Sequence, residues 1–267
     1  MGSVIDPERF KVKRVAIIGA GPSGLAGTHN LFLFENLLIH CLAAKYLLAE
    51  DSFNQIDVFE QQSEVGGVWN YSPNIVGKTP VPQITPNGPP ELPIWPNGAD
   101  APLFSNAMYH RLNTNIPKTL MQYSDQDFLP DSLLFPTRQD VQTYLVKYSQ
   151  DVRHLVSFST QVEDIRRVNN GGADAWELSS RSVITKKEKK AEYDAILVAN
   201  GHYSVPFIPE VTGIAAFNAA FPSIITHSKI YRSPVAFENK KVIVVGSAAS
   251  GLDSSSYSYT NKAFISE

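Results

Sequence analysis

Six residues constrain this chain more than any others. Gly19, Ala20, Gly21, Pro22, Ser23 and Gly24 spell G-x-G-x-x-G, directly after the β-branched run Arg14–Ile18. A short apolar run ending at glycines is the pattern of a buried parallel strand. In that setting the first glycine permits a tight turn and the second lets backbone approach a pyrophosphate. The third allows close packing of helix on strand, and the helix N-terminus offers unpaired N–H groups to an anion. Such a loop demands a β-α-β unit, and Ile56–Phe59 supplies the next strand.

The unit also needs an acidic residue at the end of its second strand, about 20 residues beyond the last glycine, to hold ribose hydroxyls. Glu60 is the candidate, yet it lies 36 residues beyond Gly24. The 16-residue segment Gly27–Leu42 accounts for the excess. Without it, the chain runs from Leu25 and Ala26 into Ala43, Ala44, Lys45 and Tyr46, a strong helix former. The segment is apolar (Leu31, Phe32, Leu33, Phe34, Leu37, Leu38, Ile39), unlike a solvated loop, so it reads as an insertion. Leu31–Leu48 is not a membrane span, because Glu35, Asn36, His40 and Lys45 interrupt it.

Beyond Glu60 the texture changes. Nine of the 18 prolines fall between Ser72 and Pro102, too dense for helix or central strand, and the stretch reads as an ordered wrap over a site. Thr137–Tyr148 has helical spacing, with Thr137 as cap and Val141, Tyr144 and Leu145 on one face. Gln161–Val168 and Ala175–Val183 flank Asn169–Gly172, a hairpin signal. The basic run Lys186–Lys190 reads as a solvated turn between strands. Ala195–Ala199 reads as another buried strand, and Lys241–Val245 repeats the pattern of the first one.

The whole chain has 267 residues, room for about two modest domains or one large one. A hydrophobic share of 43% rules out wholesale disorder, and a net charge of -3 argues against a nucleic-acid partner. The single cysteine, Cys41, excludes an internal disulfide and fits a reducing, cytoplasmic setting. It also excludes a disulfide reductase, which needs a redox-active pair. The six histidines show no metal-ligand spacing, so no metal is expected.

Taken together, Gly19-x-Gly21-x-x-Gly24, Glu60 and Gly66-Gly67-x-Trp69 resemble the FAD site of flavin-containing monooxygenases. Tyr109–Met121, which holds Leu112, Thr114 and Asn115, is similar to that family's Asn-bearing segment beside the flavin. Asn200–Tyr203 with Pro206 and Pro209 resembles its crossing between domains. Phe221–Tyr231 resembles the signature F-x-G-x-x-x-H-x-x-x-[Y/F/W], with Ser223 in place of its glycine and His227 in register. Gly246, Ser247, Ala248, Ala249, Ser250 and Gly251 stand where an NADPH fingerprint belongs, Ala248 replacing the middle glycine.

The resemblance implies an α/β fold: a Rossmann-like FAD-binding domain with β-hairpin elements over 1–205, then the beginning of a second Rossmann-like, NADPH-binding domain over 206–267. It implies that NADPH reduces FAD and O2 adds at the flavin C4a position. The resulting hydroperoxide then oxygenates a soft nitrogen or sulfur nucleophile of a small molecule. Gly19, Gly21, Pro22, Ser23 and Gly24 would cradle the FAD pyrophosphate, Glu60 its ribose, and Gly66, Gly67 and Trp69 would run beside the flavin with Leu112 and Thr114. Asn115 would act at the reacting edge, and Gly246, Ser247, Ser250 and Gly251 would hold NADPH phosphates. Baeyer–Villiger or N-hydroxylating chemistry stays open, although Tyr231 stands where Baeyer–Villiger enzymes carry Trp. Plain structural roles stay open for Trp69, His202, His227 and Tyr231. The last 14 residues, rich in Ser, Thr and Tyr, read as a poor helix, foreign to the family and followed by no second strand. A truncated remnant that binds FAD at most, with apolar surface left exposed, is the competing reading.

Overall fold

The computed structural model describes residues 12–25, 44–73, 79–86, 92–170, 173–260 and 264–266. Its first strand, β1 (Arg14–Ile18), shows why the opening run is apolar on both faces. Val15 and Ile17 enter one core, while Ala16 and Ile18 enter another on the opposite side of the sheet. A strand buried on both faces has no solvent side to mark with polar residues.

After β1 come α1 (Pro22–Leu25), α2 (Ala44–Ala49) and β2 (Gln55–Phe59). β2 pairs parallel with β1 from Gln55 opposite Arg14 to Phe59 opposite Ile18. The segment 27–42 lies outside the described residues, but Leu25 and Ala44 on either side of it are both fully buried in the same core. A single turn, α3 (Lys118–Met121), precedes α4 (Arg138–Tyr148). Thr137 caps α4 as the sequence suggests: its hydroxyl accepts from Asp140 N–H, and the Asp140 carboxylate accepts from Thr137 N–H. Val141, Tyr144, Leu145 and Tyr148 carry the buried face of α4.

Next come β3 (Val156–Ser157), the meander β4 (Thr160–Asn170), β5 (Ala173–Ser182) and β6 (Glu188–Tyr193), and then β7 (Ala195–Val198). The parallel sheet runs β3-β2-β1-β7, and the antiparallel one β4-β5-β6. Three layers result. Helices α1, α2 and α4 cover one face of the parallel sheet, and the meander covers the other through Leu178 and Tyr193 against Ala16 and Phe59. The Tyr193 hydroxyl donates to Asp57 at 2.5 Å, and Asp194 accepts from both Lys13 N–H and Arg14 N–H, which fixes the start of β7 beside β1.

The second glycine-bearing region holds α5 (Ile214–Ala220), β8 (Lys241–Ile243), α6 (Ala249–Thr260) and β9 (Phe264–Ser266). Here the reading of the tail is corrected. The Ser/Tyr-rich stretch is helical to Thr260, and β9 pairs parallel with β8, so a second strand does follow. Ser and Tyr lose only a few tenths of a kcal/mol each against Ala, a preference that tertiary context overrides.

Three smaller corrections concern exposure and boundaries. β7 is half-buried rather than buried, because it lies at the sheet's edge, and Val198 is 59% exposed. The basic run is not the turn itself: residues 183–185 turn, Lys186 and Lys187 follow them, and Glu188 already begins β6. β8 copies the pattern of β1 but not its burial: Ile243 is 73% exposed, and Val245, two residues beyond the strand, 92%. Expected apolar exposure is therefore present.

The proline-rich stretch forms no helix or extended strand among its described residues. Paired backbone bonds tie it down at two points, Gln83 with Ile208 and Ile94 with Leu103.

Candidate functional site

The first glycine loop is built as its spacing requires. Gly19 sits at φ +104°, where a Cβ would lie 2.5 Å from the Ala199 carbonyl oxygen. At Gly24 a Cβ would lie 1.9 Å from the Gly19 carbonyl oxygen, so the first turn of α1 closes directly over the strand end. Gly21 is different: a Cβ there would meet only Gly67 Cα, at 3.5 Å. The outer glycines are thus needed to build the loop, and the middle one keeps its face low. Pro22 opens α1 without needing an N–H partner, while Ser23 and Gly24 carry first-turn amides that have no acceptor within the helix.

Glu60, at the end of β2, is drawn into the same loop. One carboxylate oxygen accepts from Ala20 N–H at 2.8 Å, the other from Gln62 N–H at 2.9 Å, and the residue is 4% exposed. Burial pushes its carboxyl above the ordinary range, against the pull of the Gln62 and Ala20 amides. Its position agrees with the sequence reading; its observed hydrogen bonds are to backbone.

The turn Gly66–Trp69 closes the other side. Gly66 N–H donates to Ala20 O at 2.9 Å, and Gln62 Nε2 donates to Gly67 O. Gly66 sits at φ +113°, and a Cβ there would lie 2.2 Å from Gln142 Oε1. Trp69 is half-buried against the helical core. Gln142 Nε2 donates to Val65 O, while its Oε1 is buried with no hydrogen-bond partner.

The N-terminus of α4 joins this turn to the Asn-bearing segment. Arg138 N–H donates to Leu112 O, Thr114 N–H to Pro136 O, and Arg138 lays its guanidinium 3.7 Å from the Tyr71 ring centroid. Thr114 is buried, Leu112 is half-buried and Asn115 is exposed.

The second loop repeats the geometry of the first. Gly246 sits at φ +111°, and a Cβ on Gly251 would lie 1.9 Å from Gly246 O, matching Gly24 and Gly19. Leu252 N–H donates to Ala248 O at 3.0 Å, as Leu25 N–H does to Gly21 O at 3.1 Å. Alanine at the middle position therefore leaves the loop's backbone intact. Ser247 and Ser250 are exposed on it.

Thus Gly19–Gly24, Glu60 and Gly66–Trp69 form one cradle, with Leu112 and Thr114 reached through α4, and Gly246–Gly251 forms a second loop. A hydrogen bond from the Tyr109 hydroxyl to Asp253 of α6 ties the second to the Asn-bearing segment. Tyr71, Arg138, Gln142 and Asp253 escaped the sequence reading, and Tyr109 entered it only as the start of the Asn-bearing segment. Tyr71 lies two residues past Trp69 and Arg138 directly after the cap, but no spacing rule marks either. Ser223 takes φ +68°, the conformation expected of the glycine it replaces. His227 Nδ1 accepts from Lys229 N–H, a structural role. Among the described residues no cluster of His, Cys, Asp or Glu could hold a metal ion, and no helix is long and apolar enough to cross a membrane.

Each loop is a glycine turn that a Cβ would block, and beside the first, α4 carries buried polar atoms without a partner at Arg138 Nε and Gln142 Oε1. The residues of the first loop fit FAD.

A flavin-containing monooxygenase of Arabidopsis thaliana, FMO GS-OX-like 9, is 29% identical over 93% of this chain and 48% of its own length. The trimethylamine monooxygenase of Pelagibacter is 30% identical over 91% of this chain and 47% of its own. The structure of S-allyl-L-cysteine S-oxygenase from Allium sativum superposes with a TM-score of 0.68 and 25% identity, covering 96% of this chain and 50% of that one. The chain spans about half the length of the curated relatives it matches. The model of the family described as FMO-like, flavin-binding monooxygenase-like, matches residues 100–266 and so takes in the tail that read as foreign. By that match the chain belongs to the flavin-binding monooxygenase-like family.

Proposed function

We propose that this chain supplies the dinucleotide-binding framework of a monooxygenase that uses FAD and NADPH to oxygenate a soft nitrogen or sulfur atom of a small molecule, in the reducing setting of the cytoplasm. The observation that carries the reading is the duplicated loop. A Cβ on Gly24 would lie 1.9 Å from Gly19 O, and one on Gly251 would lie 1.9 Å from Gly246 O, the close helix–strand packing for which the dinucleotide-binding βα turn uses its third glycine.

In this reading residues 1–205 hold FAD, and 206–267 begin the unit for NADPH. Gly21 admits the FAD pyrophosphate, with Ser23 and Gly24 amides donating to it, and Glu60 receives the ribose through the face of its carboxylate not spent on Ala20 and Gln62. Gly66, Gly67 and Trp69 flank the flavin with Leu112 and Thr114. Asn115 presents an exposed amide toward the reacting edge. Ser247 and Ser250 donate to NADPH phosphates from the second loop. When bound, the flavin supplies activation of O2 by two electrons taken from NADPH, and the protein's own tasks are to bind, orient and exclude water. The relatives named for an amine and for an S-allyl cysteine substrate support nitrogen and sulfur as the oxygenated atoms.

The test is expression of the full chain, followed by flavin absorbance, NADPH oxidation and product analysis with a tertiary amine, a sulfide and a ketone. A yellow protein that oxidises NADPH and yields N- or S-oxide supports the proposal. A folded protein that takes up no FAD refutes it, and lactone or ester from the ketone moves it to Baeyer–Villiger chemistry.

A further inference from the structure

Arg138 is a buried charge left incomplete among the described residues. It is 8% exposed, its Nε is buried without a hydrogen-bond partner, and no carboxylate pairs with it among the described residues. Its one side-chain partner there is the face of Tyr71. Elsewhere in the fold, arginines are engaged: Arg14 with Asp194, Arg153 with Glu64, and Arg232 with the carbonyls of Ser72, Asn106, Lys229 and Tyr231. A buried N–H left without a hydrogen-bonding partner is unfavourable, so a fold keeps one where something else completes it.

Its location says what that is. Arg138 opens α4, an 11-residue helix whose N-terminus adds positive potential, and its backbone is tied to Leu112. It therefore stands between the Gly66–Tyr71 turn and the Leu112–Asn115 segment. A few residues along α4, Gln142 Oε1 is a second buried atom without a partner. A guanidinium is a planar fork of donors, matched by a planar anion with two adjacent acceptors.

We propose that Arg138 is an anion-binding residue of the site, receiving a planar, negatively charged acceptor of the ligand held between these two segments. Two sources share that chemistry: the carboxylate of an amino-acid-like substrate, and the pyrimidine edge of the flavin, which is negative in the reduced cofactor. The second source rests on the function proposed above; the anion site itself does not.

The test uses the full chain with Arg138→Met and Arg138→Lys, each checked for folding by circular dichroism, and two probes: sodium acetate alone, and FAD before and after reduction. In the first arm, thermal melting with acetate rises for wild type, rises less for Lys and is unmoved for Met. In the second arm, Met weakens binding of reduced FAD by about tenfold or more relative to oxidised FAD, lowering the midpoint potential, and Lys restores part of it. A response in the first arm assigns a carboxylate, and one in the second assigns the flavin edge. Without ligand, Met melts at or above the wild-type temperature, since it removes an unsatisfied buried donor. If Met instead melts lower and handles both probes like wild type, Arg138 is a packing cation on Tyr71 and the proposal is overturned. A wild-type chain that ignores FAD but responds to acetate through Arg138 would refute the cofactor reading and leave the anion site standing.

Discussion

Alanine in place of Gly24 puts the loop geometry to its sharpest test. The added Cβ would lie 1.9 Å from Gly19 O and 3.0 Å from Gly19 C, where ordinary contact begins at 3.4 Å. About 1.5 Å must therefore be found by moving backbone. Neither side yields easily: Gly19 N–H is bonded to Phe59 O at 2.8 Å, and Gly19 itself abuts Ala199 O. Overpacking of a tight site destabilises by about 1–3 kcal/mol, and backbone on both sides places this case near the top of that range, about 3 kcal/mol. With a urea slope of roughly 1–3 kcal/mol per molar, the unfolding midpoint should fall by about 1–3 M. Gly21→Ala is the partner experiment, because its Cβ meets only ordinary contact. It should fold within about 0.5 kcal/mol of wild type, yet bind FAD at least about tenfold more weakly, the methyl standing where phosphate would approach. Equal midpoints for Gly24→Ala and wild type would refute the reasoning. So would equal loss of stability in both variants.

Three further outcomes follow from particular residues. Ser223 holds φ +68°, so Ser223→Gly should raise stability by about 1 kcal/mol, read as a higher melting temperature; a lower one would show that the serine hydroxyl matters more than the backbone. Burial raises the Glu60 carboxyl above its ordinary 4.5, so the folded state holds its proton more tightly than the unfolded chain. Wild type should thus lose stability relative to Glu60→Gln as pH rises from 4.5 through the folded value, and a pH-independent difference in urea midpoint would contradict this. Deleting residues 27–42 should raise soluble yield and melting temperature by rejoining the two halves of one helix; an insoluble product would mark the segment as part of the fold.

Legibility in the sequence followed the physics of each feature. β1, β2, the cap at Thr137 and the meander were readable because strand period, capping chemistry and turn residues are local. The burial of β7 and β8 was not, since both sequences are as apolar as β1, and exposure depends on what packs beside them. The helix through Ser254 and Tyr257 was hidden for the opposite reason: its residues have no strong preference, and the glycine loop before it decides the matter. In the site, glycines and Glu60 were legible by spacing. Arg138 and Tyr71 were not, because a guanidinium laid on an aromatic ring has no fixed separation in sequence.

The clamp at Arg232 has an evolutionary consequence. Its guanidinium reaches the main-chain oxygens of Ser72, Asn106, Lys229 and Tyr231, joining the wrap, the stretch just ahead of the Asn-bearing segment and the end of the signature. Those bonds ask nothing of the side chains that carry the oxygens. In a saturation scan, position 232 should tolerate almost no replacement, while position 72, where the clamp uses only the carbonyl, is free to drift as far as its own packing allows. A contact of that kind leaves no covarying pair behind, so three distant stretches of chain can stay fastened together through a single residue.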